Sequence, residues 1–391
     1  MPLRVSTLSG TKGYCLHIGL NLLFIIPGHN GGTQVYSESL IRALAEADPE
    51  DQFTVYVSRE GAALPLPDAP NFRKVVCPIF AVKRMARYLW EQFILPLQLR
   101  RHRIDLLHSL GYVGPLFPPC PQVVTVHDVN FLAIPSEMGA MRQGVLNKLV
   151  PLVAHRCARV LTVSQFSKNQ IHEFLHVPES DIIVTHEGPR EHAELSKNDW
   201  ESISSQYGIT GPYLIAFDSL IGHKNIGRLL QAFAVIQAQV THNLLLIGHR
   251  PPGTDPEIEI ARLGLTGRVH ATGYVPDDHV MPLLGHADLF VFPSLYEGFG
   301  LPLLEAQNAG VAVACSTAAS IPEVAGDGAA YFNPLSVEDM QRVLLDCLSD
   351  SALRADLIQK GRMNADRFSW KNTAAGTLAC YRAVQAEFGI N

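Results

Sequence analysis

Two carboxylates, Glu297 and Glu305, stand eight positions apart in the stretch PSLYEGFGLPLLEAQNAG, Pro293 to Gly310. They flank a Phe-Gly-Leu-Pro turn. A turn needs only the glycines, and a helix start needs one acid at most. Leu289–Pro293 reads as an apolar strand, and Pro302 suits the first turn of the helix behind it, where the missing N–H costs nothing. Glu305 then falls about one turn into that helix. A carboxylate held there can accept two hydrogen bonds from a vicinal diol such as a ribose, as acidic residues do in dinucleotide folds. Glu297 lies on the turn itself, and the backbone N–H groups at Gly300 and Leu301 are placed for phosphate or sugar oxygens. The plainer alternative is one capping acid and one surface acid complementing the helix dipole. It accounts for one glutamate, but not for both with the glycines between them.

Four further strand ends carry polar residues. In PGHNGGTQVY, Gly31-Gly32 permits close backbone approach to a ligand at a helix opening, and a plain tight turn is an equal alternative. VVTVHDVNF sets His127 and Asp128 beyond an apolar run. His127 there could donate to a sugar hydroxyl, or be a strand-terminal histidine beside a capping Asp128. LTVSQFSKNQI reads as an N-capping serine, Ser164 or Ser167. IAFDSLIGHKNIGRLL puts Lys224 and Asn225 just ahead of an amphipathic helix, where the ammonium suits a diphosphate or is a surface lysine.

The elements that must position these residues alternate regularly. Strands are expected at Ile18–Ile26, Phe53–Val57, Leu106–Ser109, Val123–His127 and Val160–Ser164, then at Tyr213–Phe217, Asn243–Ile247, Val269–Thr272, Leu289–Pro293 and Val311–Ala314. Several are near-continuous Val/Ile/Leu runs, as in parallel strands covered on both faces. Amphipathic helices fall between them, as at Val35 to Ala45 and Ile226 to Ala238. The alternation predicts an α/β protein of two doubly wound, Rossmann-like parallel-sheet domains. The polar stretch Gly188 to Tyr207 is the expected linker, and Trp370 to Phe388 a long terminal helix. No repeat of 20–50 residues is visible.

Bulk properties narrow the classes. A chain of 391 residues at ~100–200 per domain suggests two domains, or three. A net charge of −6 gives no reason to expect nucleic acid. Seven scattered cysteines without a C-x-x-C pair fit reduced thiols of a cytoplasm, not a disulfide framework or zinc site. No run reaches the ~18 apolar residues of a membrane span, and the first fifteen residues lack the apolar core of a signal peptide.

The segments NGGTQVY, WEQFILPLQLRRHRIDLLHS, VVTVHDVNFL, VSQFSK, HKNIGRLLQAF, LLLIGH, ATGYVPDDHVMPLLGHADLFVFPSLYEGFGLPLLEAQNAGVAV and SIPEVAGDGAAYFNP cover nearly the whole chain from about residue 17. Together they resemble the large retaining glycosyltransferases of family 4, including that family's E-x7-E signature. The resemblance implies the GT-B fold of two facing Rossmann-like domains. Residues 1–192 would form the acceptor-side domain, completed by a terminal helix at 371–391, and 193–370 the nucleotide-sugar domain. It implies that Glu305 binds the donor ribose, that Glu297 approaches the transferred sugar, and that Phe299, Gly300 and Leu301 contact sugar and phosphate through the backbone. Lys224 would neutralise the diphosphate, Gly31 and Gly32 would face it, His127 would contact the donor sugar, and Tyr274-Val275 would lie near the base. Family members typically bind no catalytic metal, so dipoles and a lysine would carry the leaving-group charge. No D-x-D pair stands on a plausible donor loop.

One departure stands out. Many family members carry an arginine beside the lysine, where this chain has Phe217-Asp218-Ser219 and then His223-Lys224. A charge-assisted contact of roughly 1.5–3 kcal/mol would be missing or come from elsewhere. Lys83 to Arg103 is basic and aromatic, and the family often sets such a helix against the anionic inner face of the cytoplasmic membrane, where lipid-linked acceptors sit. Its charges cluster at the ends, which favours a solvated helix with Trp90-Glu91-Gln92 packed inward. The combined expectation is a cytoplasmic, metal-independent retaining enzyme moving a mannose- or glucose-type sugar from a GDP- or UDP-sugar to a glycan or lipid-linked hydroxyl. The rivals are a sugar-nucleotide epimerase, a phosphorylase, and a catalytically quiet sugar-nucleotide-binding subunit.

Overall fold

The computed structural model of the chain describes residues 15–28, 31–134, 140–190, 197–217, 222–248 and 256–390. Among the described residues, thirteen strands form two sheets. The first holds β1 (His17–Leu22), β2 (Gln52–Val57), β3 (Phe72–Val76), β4 (Leu106–Ser109), β5 (Gln122–Thr125), β6 (Arg159–Thr162) and β7 (Ile182–Val184), in the order β3-β2-β1-β4-β5-β6-β7. The second holds β8 (Tyr213–Phe217), β9 (Asn243–Ile247), β10 (Val269–Gly273), β11 (Leu289–Phe292), β12 (Val313–Ser316) and β13 (Ala330–Phe332), in the order β10-β9-β8-β11-β12-β13. Registers such as Leu20 with Val55, Phe290 with Val313 and Ile215 with Leu245 are parallel.

Both sheets reverse direction between their first and fourth strands, the geometry that opens a ligand crevice beyond the carboxyl ends. The reason lies in the strands' composition. Leu214, Ala216, Leu244, Leu246, Leu289 and Val291 are buried against the Ile226–Ile236 helix (Leu229, Leu230, Phe233) and the Val337–Ser349 helix (Met340, Leu344). A strand sealed on both faces can present function only at its ends.

The central strands fall where the apolar runs put them. The three unexpected strands, β3, β7 and β13, all lie at sheet edges. Two have only three residues and β3 carries Arg73 and Lys74, so none shows a continuous apolar run. Gly188 to Tyr207 departs from the expected linker, because Lys197–Gln206 is a helix that buries Ile203 and stacks Trp200 on His286 at 3.8 Å. The terminal helix spans Trp370–Phe388 as expected.

The chain divides into two compact units, Met1–Thr125 with Leu152–Val160 and Ala374–Asn391, and Val126–Pro151 with Leu161–Thr373. In the first, the C-terminal helix is held by polar contacts. Tyr381 Oη lies 2.6 Å from His108 Nδ1, Arg382 pairs with Asp51 at 2.8 Å, and Arg159 with Glu387 at 2.6 Å. Among the described residues, no helix is long and apolar enough to cross a membrane.

Candidate functional site

The E-x7-E segment is built as its residues suggested. Chain direction changes at Gly300, whose φ of 103° favours glycine, and the Leu301–Asn308 helix follows with proline in its first turn. The loop before it is fastened by hydroxyls. Ser320 Oγ donates to the carbonyls of Glu297 (2.9 Å) and Phe299 (2.8 Å), while Ser164 Oγ (2.6 Å) and Ser167 Oγ (3.0 Å) donate to that of Gly298. Three consecutive carbonyls are thereby bound inside the protein, so their negative ends do not confront an anion. Ser164 also caps the Gln165–Leu175 helix by accepting from Ser167 N, so its capping role and its hold on the loop coexist. Glu323 accepts from the next two N–H groups of that helix and pairs with His186 at 2.9 Å, which holds its carboxyl below the usual range despite burial.

Lys224 and Asn225 end a turn after β8, and Asn225 adopts φ 58° ahead of the Ile226–Ile236 helix. Asn225 Nδ2 donates to the carbonyls of Pro293 and Pro334, and Leu295 N to that of His223, which ties the β8 turn to the β11 loop. This brings together two residues expected to act separately. Lys224 Nζ sits 2.7 Å from Glu297 Oε1 and 5.7 Å from the Phe292 ring centroid. The ammonium expected to meet a diphosphate is thus engaged with the carboxylate expected to approach the sugar.

His127 lies two residues past β5, not within it, with Nδ1 3.8 Å from Glu187 Oε1. Asp128 Oδ1 accepts from Asn130 N, so Asp128 is the turn cap the plainer reading foresaw. Burial pushes its carboxyl up, and nearby Glu297 adds to this. Gly298 packs on the His127 carbonyl and the Asp128 side chain, which brings the Glu297 loop against the His127–Asp128 turn.

Glu305 is only 3% exposed, and burial raises its carboxyl against the pull of Arg190, with Glu187 and Asp277 adding to the rise. Arg190 Nε approaches Glu305 Oε1 to 3.0 Å and its Nη1 lies 3.8 Å from Asp277 Oδ1. Three and two residues ahead of Asp277 come Tyr274, exposed, and Val275, buried, both after β10. Phe299 and Leu301 are buried side chains that leave only backbone to a ligand. Gly31 and Gly32 open the Gly31–Ala47 helix in the first unit, with nothing near the position of an added Cβ. Asp218 and Ser219 lie outside the described residues.

Glu187 and Arg190 escaped sequence reading. They follow the three-residue β7, and recognising that strand would have put HEGPR at a carboxyl end, where ligands bind. Among the described residues, no cluster of three or more His, Cys, Asp or Glu has metal-binding geometry.

The basic segment also differs from expectation. Trp90-Glu91-Gln92 does pack inward, with Glu91 buried beside Arg87 and pushed up to about 7 by burial, and Gln92 bonded to Gly114 O and Leu116 N. The outward face is apolar, however, with Met85, Leu89, Phe93 and Leu97 at intervals of four and all exposed.

Two doubly wound parallel sheets, with an acid and a lysine meeting where the strand order of the second reverses, make an α/β protein of the kind that binds ligands at its strand ends. Residues 201–364 match the family described as glycosyl transferases group 1, and residues 30–188 match Glycosyltransferase Family 4. The chain is 30% identical over 267 residues to the O-antigen chain mannosyltransferase B of Escherichia coli, covering 67% of this chain and 70% of that protein. It is 30% identical over 241 residues to the serotype-specific mannosyltransferase WbdA of the same organism, but spans only 29% of that longer protein. The structure of a sucrose-phosphate synthase from Thermosynechococcus elongatus superposes with TM-score 0.75 at 17% identity, over 95% of this chain and 100% of that one. The chain belongs to family 4 of the glycosyltransferases, has the GT-B fold, and is a hexosyltransferase.

Proposed function

We propose that the enzyme moves a mannose- or glucose-type sugar from a GDP- or UDP-sugar to a hydroxyl of a glycan or lipid-linked acceptor, with retention and without a metal, in polysaccharide assembly. The observation that carries this is the meeting of Glu297 with Lys224 at the ends of β11 and β8, with buried Glu305 in the helix that follows. Two of the relatives are mannosyltransferases, which favours mannose. In this reading Glu305 accepts the pentose hydroxyls. Lys224 turns from Glu297 to the diphosphate as negative charge grows there, and Glu297 is then left to face positive charge developing at the anomeric carbon. His127 contacts the sugar, the backbone at Phe299, Gly300 and Leu301 meets sugar and phosphate oxygens, and Tyr274-Val275 borders the base. Gly31 and Gly32 are assigned to the diphosphate. Front-face attack, with the leaving phosphate taking the acceptor proton, would retain configuration.

The test is a panel of GDP- and UDP-sugars with mannoside and glucoside acceptors, with the product anomer read by NMR and the assay repeated with EDTA. Acceptor-dependent turnover that keeps the anomer and survives EDTA is expected. Nucleotide release of equal speed without acceptor would establish an epimerase or hydrolase. Binding without turnover would establish the quiet subunit.

We further assign the Met85–Leu97 face to an anionic membrane surface. The row is bordered by exposed Lys83, Arg84, Arg100 and Arg101. A second copy would bring the same cations and be repelled, whereas acidic headgroups would be attracted. The protein should sediment with phosphatidylglycerol vesicles but not phosphatidylcholine ones. Leu89→Glu with Phe93→Glu should cut the bound fraction at least tenfold, since each side chain contributes ~1.5–3 kcal/mol on burial. Equal binding of both proteins, or none by either, would remove the membrane from the account.

A further inference from the structure

Glu305 presents a physical difficulty for the role just given to it. A carboxylate that receives two hydroxyl protons must be ionised and must have its lone pairs open. Glu305 is nearly sealed from water, and two other carboxylates, Glu187 from the end of β7 and Asp277 from the start of the Asp277–Gly285 helix, face it. Burial and like charges both favour the neutral acid. Among the described residues, the cation that pairs with it is Arg190, while His127 stands by Glu187 at 3.8 Å.

The contact between Arg190 and Glu305 has an unusual form. Their atoms approach to 3.0 Å, yet neither Arg190 Nε nor Glu305 Oε1 makes an aligned hydrogen bond to any described residue. The pair is joined by charge and not by a directed N–H···O bond. The guanidinium therefore opposes the burial cost without spending the acceptor capacity of Oε1. The backbone leading to Arg190 is well anchored. Trp370 Nε1 donates to Pro189 O at 3.1 Å, Thr373 Oγ1 to His186 O at 2.6 Å, and Gly188 lies so close to the Ser369–Trp370 backbone that a Cβ would collide.

We propose that Arg190 is a positioning residue of the donor site, holding Glu305 as a carboxylate while its buried Oε1, left without a directed hydrogen bond, keeps its acceptor capacity for the hydroxyls of the nucleoside pentose. The inference rests on the reading that Glu305 grips that pentose. It also locates a cation that the departure near Lys224 seemed to remove, now at the nucleoside end of the site and serving the acid.

Arg190→Gln should leave Glu305 buried with Glu187 and Asp277, so that it takes up a proton. A protonated acid gives up acceptor capacity, and UDP and GDP should bind roughly 10- to 100-fold more weakly near neutral pH. Raising the pH removes that proton, so the ratio of the variant's Kd to the parent's should shrink steadily as the pH rises above neutral. Arg190→Lys keeps the charge and should recover most of the affinity at every pH. Glu305→Gln should bind weakly with a ratio indifferent to pH. Calorimetry with UDP and with GDP on the three variants, each with a melting curve matching the parent's, reads all of this. A pH-independent ratio for Arg190→Gln, or a lysine variant as weak as the glutamine one, overturns the proposal and makes Arg190 structural. Parent-like affinity in Glu305→Gln instead overturns the underlying pentose reading, and so separates the two failures.

Discussion

Glu297→Ala should lower kcat by about 10²–10³ while UDP and GDP affinity stays within roughly threefold of the parent's. Glu305→Ala should show the reverse emphasis, with Kd for the nucleotide raised about 10- to 100-fold. The division follows from what each carboxylate touches. Glu297 is paired with Lys224 at 2.7 Å, so removing it frees the ammonium for the diphosphate and binding need not suffer. What is lost, on the proposed role, is a negative charge facing the sugar as its anomeric carbon becomes cationic, a contribution made only in the transition state and therefore visible in kcat. Glu305 is buried, and its proposed bonds to a pentose exist before and during reaction alike, so its loss falls on binding. Calorimetry for affinity and initial rates at saturating donor separate the two, and equal affinity losses in both variants would refute the division.

Gly298→Ala should be nearly as damaging, through a single methyl group. A Cβ there would meet the His127 carbonyl at 2.6 Å and Asp128 Cβ at 2.9 Å, both closer than real carbon contacts, and the carbonyl belongs to backbone. The Gly298 carbonyl is itself held by Ser164 and Ser167. The loop can escape only by breaking those bonds and carrying Glu297 and the Phe299–Leu301 backbone with it. A displacement of this order commonly costs about 100-fold in rate, and the overpacking itself about 1–3 kcal/mol of stability. Rate and melting temperature should fall together. A variant with parent-like kcat would show that the contact with His127 is not what places the loop.

How much of this was legible beforehand depends on the kind of signal. The central strands announced themselves because burial on both faces demands uninterrupted Val/Ile/Leu runs. Edge strands β3, β7 and β13 carry no such demand and were silent. Missing β7 had a functional cost, since it hid Glu187 and Arg190 beside a stretch that looked like a linker. Glu297, Gly300, Pro302 and Glu305 were readable because turn and helix chemistry act over a few residues. The pairing of Lys224 with Glu297 spans 73 positions, and no local rule reports such a contact. The apolar row at Met85, Leu89, Phe93 and Leu97 was obscured by the arginines between and around it, because net charge describes a segment and not the face it turns outward.

The closed pairing of Lys224 with Glu297 has a consequence for selectivity. With its positive pole already satisfied, the resting pocket offers little reward to inorganic phosphate or pyrophosphate diffusing in alone. A lone anion must first pry the two side chains apart, with nothing to offset that effort. A complete sugar donor brings a nucleoside that is gripped elsewhere and can subsidise the rearrangement. On the role proposed for Lys224, the site thus turns away small anions by holding its attractive charge in reserve.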